Sequence, residues 1–259
     1  MAPLIYFSYG MTKSGSTLSF ELARAALVLS GQPQPMLSEA AVLKRRRINF
    51  CDHIDGTRAD AIRAEVSGLG HMVAIKTHTR PDPEVIKMLN SGEALAHATF
   101  RDPRDIALSM VDHGVKSRRQ GKAEFTEFNA PEDTIDELRH QSNSLLAWLS
   151  LPNVKPLYYD DLAFDMGATA ARIADDLGVR VDADKVVSLA LHERGTQKNV
   201  GRKARHLSEM SPIMNDRFRT IFSPMFDRLI SNHDTLPVDG SPVLNPDIPL
   251  CDWSQNATP

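Results

Sequence analysis

The sequence predicts an α/β fold, in which one domain holds a central, mostly parallel β-sheet with helices on both faces. Two observations support this prediction. Apolar runs of strand length alternate with amphipathic segments of helical period along most of the chain. Several of the runs are continuously apolar, which is typical of strands buried on both faces of a parallel sheet. We place this domain at residues 1–231 and a proline-rich tail at 232–259.

Composition excludes several classes of protein. The 259 residues are 42% hydrophobic and 24% charged, as in an ordinary soluble protein, and the net charge of -3 argues against a nucleic-acid partner. Cys51 and Cys251 stand alone, so we expect free thiols and neither a zinc site nor a disulfide framework. Because no signal peptide or membrane-length apolar run is evident, we expect a cytoplasmic protein without a membrane span.

The first apolar run, at residues 4–20, passes through a glycine-containing turn into a helical pattern, which predicts strand, loop and helix. Gly10, Gly15 and Thr17 have the spacing of a P-loop, whose backbone N–H groups surround a phosphate at a helix N-terminus. A P-loop NTPase has lysine directly after the second glycine, whereas Ser16 stands there and Lys13 comes earlier. The loop is therefore P-loop-like, and we expect it to hold an anion differently from ATP.

The side chains of this loop suit a 5′-phosphate with a second anionic group beyond it. They comprise the hydroxyls of Ser14, Ser16 and Thr17 and the mobile positive charge of Lys13. The alternative is a polar turn between strand and helix that binds no ligand.

The segments after the loop continue the alternation. An apolar face at helical spacing predicts a helix over 16–30, and a second amphipathic helix is predicted over 57–68. Between them the basic run at 43–50 has two interpretations. It forms either a patch for an anionic substrate or membrane surface, or a solvated helix face.

The second predicted strand, at 72–77, carries Lys76 and Thr77 at its C-terminal end and is followed by His78. Ligands of open α/β sheets bind at the carboxyl ends of the strands. We therefore treat His78 as a candidate catalytic residue, although a lone histidine there can equally be a hydrogen-bonded surface residue.

The third predicted strand, at 94–100, runs into Arg101, where Asp102 can cap a helix that starts at Pro103. Arg101 at the strand end and Ser109 in the helix are candidate anion ligands, since a guanidinium forms a planar fork on phosphate and a serine adds one donor. The alternative for Arg101 is an ordinary ion pair with a neighbouring aspartate.

The remaining segments complete the predicted domain. Residues 114–134 lack apolar periodicity and predict a long surface segment that can act as a lid, and Trp148 is expected in the core. The other predicted elements are helices at 132–150, 163–177, 183–192 and 212–230 and a strand at 154–159.

Four stretches, in this order, resemble the sulfotransferases that use 3′-phosphoadenosine 5′-phosphosulfate (PAPS), particularly the cytosolic type. The stretches are residues 13–17, residues 76–78, the pair Arg101 and Ser109, and residues 159–162. The resemblance implies a single α/β domain and a sulfuryl transfer from PAPS to a hydroxyl, or less favourably an amine, of a small-molecule, lipid or glycan acceptor. The product nucleotide would be 3′-phosphoadenosine 5′-phosphate (PAP), and no metal is required.

The resemblance also implies roles for individual residues. His78 corresponds to the family's general base, Lys13 neutralises charge on the leaving group, and Tyr159 lies near the adenine. The residues expected to bind the donor are Lys13, Ser14, Gly15, Ser16, Thr17, Arg101, Ser109, Tyr159, Arg202 and Lys203. The last two are the remnant of an incomplete C-terminal motif within a basic stretch that starts after Gly195. Leu18 stands where many relatives have an aromatic residue that stacks on adenine.

Two other functions remain open at the level of sequence. A P-loop small-molecule kinase shares the loop geometry, although the position of Lys13 argues against it. A nucleotide-binding module without catalytic activity would keep the donor site, and His78 argues against that function only weakly.

Overall fold

The computed structural model describes residues 4–45, 48–192 and 202–230. The predicted tail at 232–259, with Cys251, lies outside these residues, as does the part of the basic stretch before Arg202. Within the described part of the chain, no helix is both long and apolar enough to cross a membrane.

A six-stranded sheet forms the centre of the domain. Its order is β2-β3-β4-β1-β5-β6, in which β2 is antiparallel to β3 and every other pair is parallel. The strands are β1 (Ile5–Gly10), β2 (Leu43–Arg45), β3 (Ile48–Phe50), β4 (Val73–Thr77), β5 (Ala94–Phe100) and β6 (Val154–Tyr158). The predicted mostly parallel sheet is confirmed.

Helices cover both faces of the sheet. The α-helices among the described residues are α1 (Ser16–Leu29), α2 (Gly56–Leu69), α3 (Pro83–Asn90), α4 (Pro103–Arg119), α5 (Ile135–Leu149), α6 (Tyr159–Phe164), α7 (Met166–Asp176), α8 (Ala183–His192), α9 (His206–Glu209), α10 (Pro212–Ile221) and α11 (Ser223–Met225). Alternate residues of β1 belong to two separate cores: Tyr6 packs with α1, α7 and α8, and Phe7 with α2 to α5 and α10. This alternation follows from the two-residue period of a strand.

Side-chain caps set the ends of several helices. Asp55 accepts a hydrogen bond from the N–H of Arg58 at the start of α2, and Gly70 ends that helix with a left-handed φ of 69°. At the start of α4, Asp102 accepts a hydrogen bond from the N–H of Arg104. The sequence prediction of this cap is therefore confirmed.

Two predictions of local structure were wrong. The described residues of the basic run at 43–50 form the strands β2 and β3, so its interpretation as a solvated helix face is wrong. The surface segment predicted to start at 114 starts only after Arg119, because α4 continues to that residue. The last turn of α4 carries mainly basic side chains, which remove apolar periodicity but interact favourably with the negative end of the helix dipole.

Two buried side chains behave as the sequence indicates. Trp148 is 1% exposed, stacks on Tyr9 and donates from its indole N–H to the carbonyl of Thr79. Cys51 is a buried free thiol. Both side chains therefore belong to the core.

Candidate anion-binding active site

The carboxyl ends of three neighbouring strands meet at one edge of the sheet. In the register of β1 with its neighbours, Tyr9 lies opposite Thr77 of β4 and Gly10 lies opposite Thr99 of β5. The loop after β1, His78 and Arg101 therefore all begin at this edge. It is the position at which open α/β sheets bind their ligands.

Both glycines of the loop are required by close packing. A Cβ on Gly10 would lie 2.5 Å from the Cβ of Ser16. Gly15 has a φ of 83°, and a Cβ there would lie 2.9 Å from Leu162 and 3.0 Å from the ring of Tyr159. The sequence thus needs glycine at both positions to bring strand, loop and helix this close together.

The loop ends in a helix N-terminus that presents backbone donors. The carbonyl of Gly15 accepts hydrogen bonds from the N–H groups of Leu18 and Ser19, at 2.8 and 3.1 Å. Since the first N–H groups of a helix have no intrahelical acceptor, those of Ser16 and Thr17 are directed out of the helix end. Together with the helix dipole they favour an anion at this position.

Internal hydrogen bonds hold the loop in place. The hydroxyl of Ser14 is fully buried and lies 2.7 Å from the carbonyl oxygen of Met11 and 3.1 Å from that of Thr99, so it supports the loop from within. The N–H of Thr12 donates to Oε1 of Gln141 on α5, at 2.7 Å. Sequence reasoning missed Gln141, because only the packing of α5 brings it to the loop.

Lys13 projects from the loop into a partly buried, positively charged environment. Its backbone is left-handed, with a φ of 67°, and its ammonium lies 2.9 Å from Nδ1 of His113. Burial lowers the pKa of Lys13, and the charges of Arg101 and Lys116 lower it further. Closely spaced cations of this kind are typical of a site that receives an anion.

A second lysine reaches the same loop from the neighbouring strand. Lys76 is 6% exposed, and its ammonium donates to Oγ1 of Thr17 at 2.9 Å. Sequence reasoning placed Lys76 at the strand end but gave it no role. The signal was present, since lysine is rarely buried in a strand without a specific partner.

His78 is hydrogen bonded to the residue that opens the loop. Its Nδ1 lies 2.7 Å from the carbonyl oxygen of Gly10, and its ring lies 5.7 Å from that of Phe50. Because a carbonyl can only accept, Nδ1 carries the proton of the neutral ring and Nε2 is left as the basic nitrogen. This tautomer is the one that a general base at Nε2 requires.

Arg101 is 5% exposed and only partly satisfied by protein contacts. Its Nη2 donates to Asp105 at 3.3 Å, so the ion pair that the sequence offered as an alternative is present. The guanidinium also lies 4.1 Å from the ring centre of Tyr159. Among the described residues, its buried Nε has no hydrogen-bond partner, and a buried unsatisfied donor indicates an additional acceptor.

Arg101 is held by a network of charged side chains that runs through Asp105 to His206. Oδ1 of Asp105 accepts hydrogen bonds from the backbone N–H of His206 at 3.0 Å and from its Nδ1 at 2.9 Å. Burial alone would raise the pKa of Asp105, but the hydrogen bonds from His206 and the charge of Arg101 outweigh it, so the pKa is lowered. Asp105 thus remains ionised between Arg101 and the segment that holds His206.

The other residues predicted to bind the PAPS donor differ in their exposure to solvent. Ser109 is 1% exposed within α4, whereas Arg202 and Lys203 are exposed. The ammonium of Lys203 lies 4.8 Å from the ring centre of Phe164, at the opposite end of α6 from Tyr159. The structure therefore joins Tyr159, Arg101 and the loop by direct contacts, whereas Arg202 and Lys203 are exposed and Lys203 lies against Phe164.

Comparison with known proteins finds similar structures but no similar sequence. No family model matches the chain, and no curated protein sequence matches it. The mouse sulfotransferase SULT7A1, complexed with PAP, is similar with a TM-score of 0.58 and 15% identity over 90% of this chain and 86% of that chain. A sulfotransferase from Alicyclobacillus acidocaldarius has a TM-score of 0.48 and 18% identity over 89% of this chain and 96% of that chain. The likeness to the mouse protein shows that the chain has the α/β fold of a sulfotransferase.

Proposed function

We propose that this chain is a PAPS-dependent sulfotransferase, which transfers a sulfuryl group to a hydroxyl, or less favourably an amine, of a small-molecule acceptor. One observation carries the proposal: Nδ1 of His78 donates to the carbonyl of Gly10, at the start of the loop. The contact supports the proposal because it holds the imidazole of His78 beside the loop that we assign to the anion. A loop that only bound a nucleotide would have no use for such a base.

His78 supplies the base in this proposal. Nε2 takes the proton of the acceptor hydroxyl while the acceptor oxygen forms its bond to sulfur, and the bond from sulfur to the leaving phosphate oxygen breaks. The hydrogen bond to Gly10 then stabilises the imidazolium, because the Nδ1–H group continues to donate to the carbonyl oxygen.

Lys13 lies on the loop that would hold the 5′-phosphosulfate. Its ammonium neutralises the negative charge that develops on the leaving oxygen, an interaction that lowers the barrier only because it strengthens towards the transition state. Lys76 and Thr17 form a hydrogen-bonded pair at the helix end of the same loop. We assign this pair to binding the 5′-phosphosulfate at the loop.

The residues fit the donor in two respects. The buried Nε of Arg101, which has no hydrogen-bond partner among the described residues, is a donor suited to the 3′-phosphate, with Ser109 as a second donor. The N–H groups of Ser16 and Thr17 at the start of α1 suit the 5′-phosphosulfate. We assign Tyr159 to the nucleotide end of the site, since its ring contacts the guanidinium of Arg101. Arg202 and Lys203 complete the proposal as further contacts to the same nucleotide, together with the backbone donors of the loop and the side chain of Ser16. Ser14, whose hydroxyl is bonded within the loop, serves the donor by holding the loop in shape.

The kinase alternative requires a lysine at the position of Ser16. Lys76 approaches the loop from β4 but donates to Thr17, and Lys13 lies against His113. Neither side chain reproduces a lysine that extends from the first turn of α1. The positions of these two lysines therefore favour the sulfotransferase proposal over the kinase.

A panel of ligands in a thermal-shift assay tests the proposal. A ligand that binds only the folded protein at about 100 times its Kd stabilises it by about 2.7 kcal/mol. We expect PAP to raise the melting temperature more than ATP with magnesium at equal concentration. A larger shift with ATP would favour the kinase, and PAP binding without transfer of label from PAPS to any member of a hydroxyl and amine library would favour the non-catalytic module.

A further inference from the structure

Lys13 is held from the side of α4 by a histidine that the sequence did not single out. The ammonium of Lys13 and Nδ1 of His113 are 2.9 Å apart, a distance at which the ammonium donates to a neutral imidazole. A protonated ring would have no lone pair to accept this hydrogen bond. The contact therefore depends on the charge state of His113.

The surroundings of this pair are built by the segment after α4. The ring of Phe125 contacts that of His113 edge-on at 5.0 Å, and the ammonium of Lys13 lies 5.8 Å from the centre of the same phenyl ring. Arg118 fixes the segment by donating to the carbonyl of Thr126 at 2.6 Å.

Helix α4 is shaped to receive this segment. A Cβ on Gly114 would lie 2.2 Å from the carbonyl oxygen of Phe125, so the segment rests directly on the helix backbone. The ring of Phe125 thus packs against both His113 and Lys13.

We propose that His113 is a positioning residue for Lys13, whose neutral imidazole holds the ammonium at the loop and whose protonation removes that hold. The inference rests on the proposed sulfotransferase function, because it assigns His113 to the orientation of the lysine that neutralises the leaving group. His113 itself is not the base, a role that belongs to His78 on the opposite side of the loop.

The charges around His113 favour its neutral form. Burial lowers its pKa first, and the charge of Lys13 lowers it further. Glu124 opposes this effect, whereas Lys116 and Lys122 add to it. At neutral pH the ring is therefore an acceptor.

Charged groups on the other elements packed against the pair also shift the pKa of Lys13. Arg101, at the end of β5, and Lys116 lower the pKa of Lys13, and Asp112 on α4 raises it. Since cations predominate, a proton added to His113 would place another positive charge beside Lys13. We expect the ammonium to leave this position when the ring is protonated.

Substitution of His113 separates positioning from simple packing. We expect His113→Ala to lower kcat about 3- to 10-fold, in line with the loss of one hydrogen bond, with an unchanged Kd for PAP. His113→Asn, whose amide oxygen can take the place of Nδ1, should keep kcat within about twofold of wild type and remove the dependence on His113 protonation. His140→Ala is the matched control, because His140 is an exposed histidine on α5.

The pH profile of kcat provides a second readout. In wild type we expect two protonations on the acid side, one at His78 and one at His113, and in His113→Asn only the first. Equal kcat values for the alanine and asparagine variants, or wild-type kcat in His113→Ala, would overturn the assignment.

An NMR titration tests the pair without any turnover. We expect the pKa of His113 to rise in Lys13→Met, because the neighbouring positive charge is removed while the side-chain volume is kept. An unchanged pKa would overturn the proposal. If the pKa rises but PAPS is not turned over, the pair stands and the sulfotransferase function fails.

Discussion

The two parts of the candidate site are built by different means. The loop after β1 uses backbone geometry: two glycines, a helix N-terminus and hydrogen bonds to its own carbonyl groups. The start of α4 uses buried side chains, in which Arg101 lies between Tyr159 and Asp105, and Asp105 is held by His206. In the proposed function the first part carries the chemistry and the second holds the donor. Variants in the two parts should therefore affect turnover and affinity separately.

The largest effect is expected at His78, on the loop side. Loss of a general base costs about 10²- to 10⁴-fold in rate, so His78→Ala should lose most turnover. PAP affinity should stay near wild type, because the proposed contact of His78 is to the acceptor. Single-turnover kinetics together with calorimetry would measure both quantities.

His53→Ala is a suitable control for this variant, because the His53 side chain is 70% exposed. If His78→Ala weakens PAP binding as strongly as it lowers turnover, the division between the two parts of the site is wrong. Ordinary turnover in His78→Ala would remove this residue from the mechanism altogether.

A smaller effect, on affinity, is expected at Arg101. A hydrogen bond to a charged group contributes about 1.5 to 3 kcal/mol, so Arg101→Ala should weaken PAP binding by about 10- to 100-fold. Ser109→Ala should weaken it less, because a single neutral donor is lost. Calorimetric titration with PAP measures both effects.

Adenosine 5′-phosphosulfate, which lacks the 3′-phosphate, sharpens this test. Its affinity should be nearly the same in wild type, Arg101→Ala and Ser109→Ala. Equal weakening of both ligands, or of neither, would show that Arg101 does not contact the 3′-phosphate.

The smallest effect on ligand binding is expected at Asp105, which touches Arg101 but no ligand in this proposal. Asp105→Asn should weaken PAP binding by only a few fold and destabilise the fold by about 1 to 3 kcal/mol at neutral pH. Because the pKa of Asp105 is lowered in the folded protein, its contribution is present above the unfolded value of 3.8 and is lost as pH falls through the folded value.

Denaturant unfolding between pH 7 and pH 3 would measure this contribution. The free energy of unfolding should fall more steeply below about pH 4 in wild type than in Asp105→Asn. Parallel curves for the two proteins would mean that the charge of Asp105 does not support Arg101.

The sequence predicts the loop part of the site well because its determinants are local. Gly10, Gly15 and the helical pattern after them define the turn. Because the strands are parallel, His78 and Arg101, which each follow a strand, lie at the same carboxyl end of the sheet. Their roles in binding and catalysis stay predictions. The fold class is confirmed for the same reason, since the alternation of strands and helices is visible in the chain itself.

The contacts that complete the site could not be predicted from sequence. His113, Gln141 and His206 come from α4, α5 and α9, and each meets its partner only after these helices pack. Short-range sequence patterns do not indicate which side chains come into contact when helices pack. The length of α4 was missed for a related reason: its last turn is basic and largely exposed, so the apolar period stops before the helix does.

The position of β1 in the sheet has a consequence for biosynthesis. Although β1 is the first strand in the chain, its two neighbours begin at Val73 and Ala94, so it pairs with nothing close to it in sequence. Pairing of this kind must wait for closure of long loops, which is slow. The loop after β1 is therefore synthesised before either neighbouring strand and becomes ordered only after β5 has emerged. A truncated nascent chain that ends before residue 100 cannot form the proposed donor site.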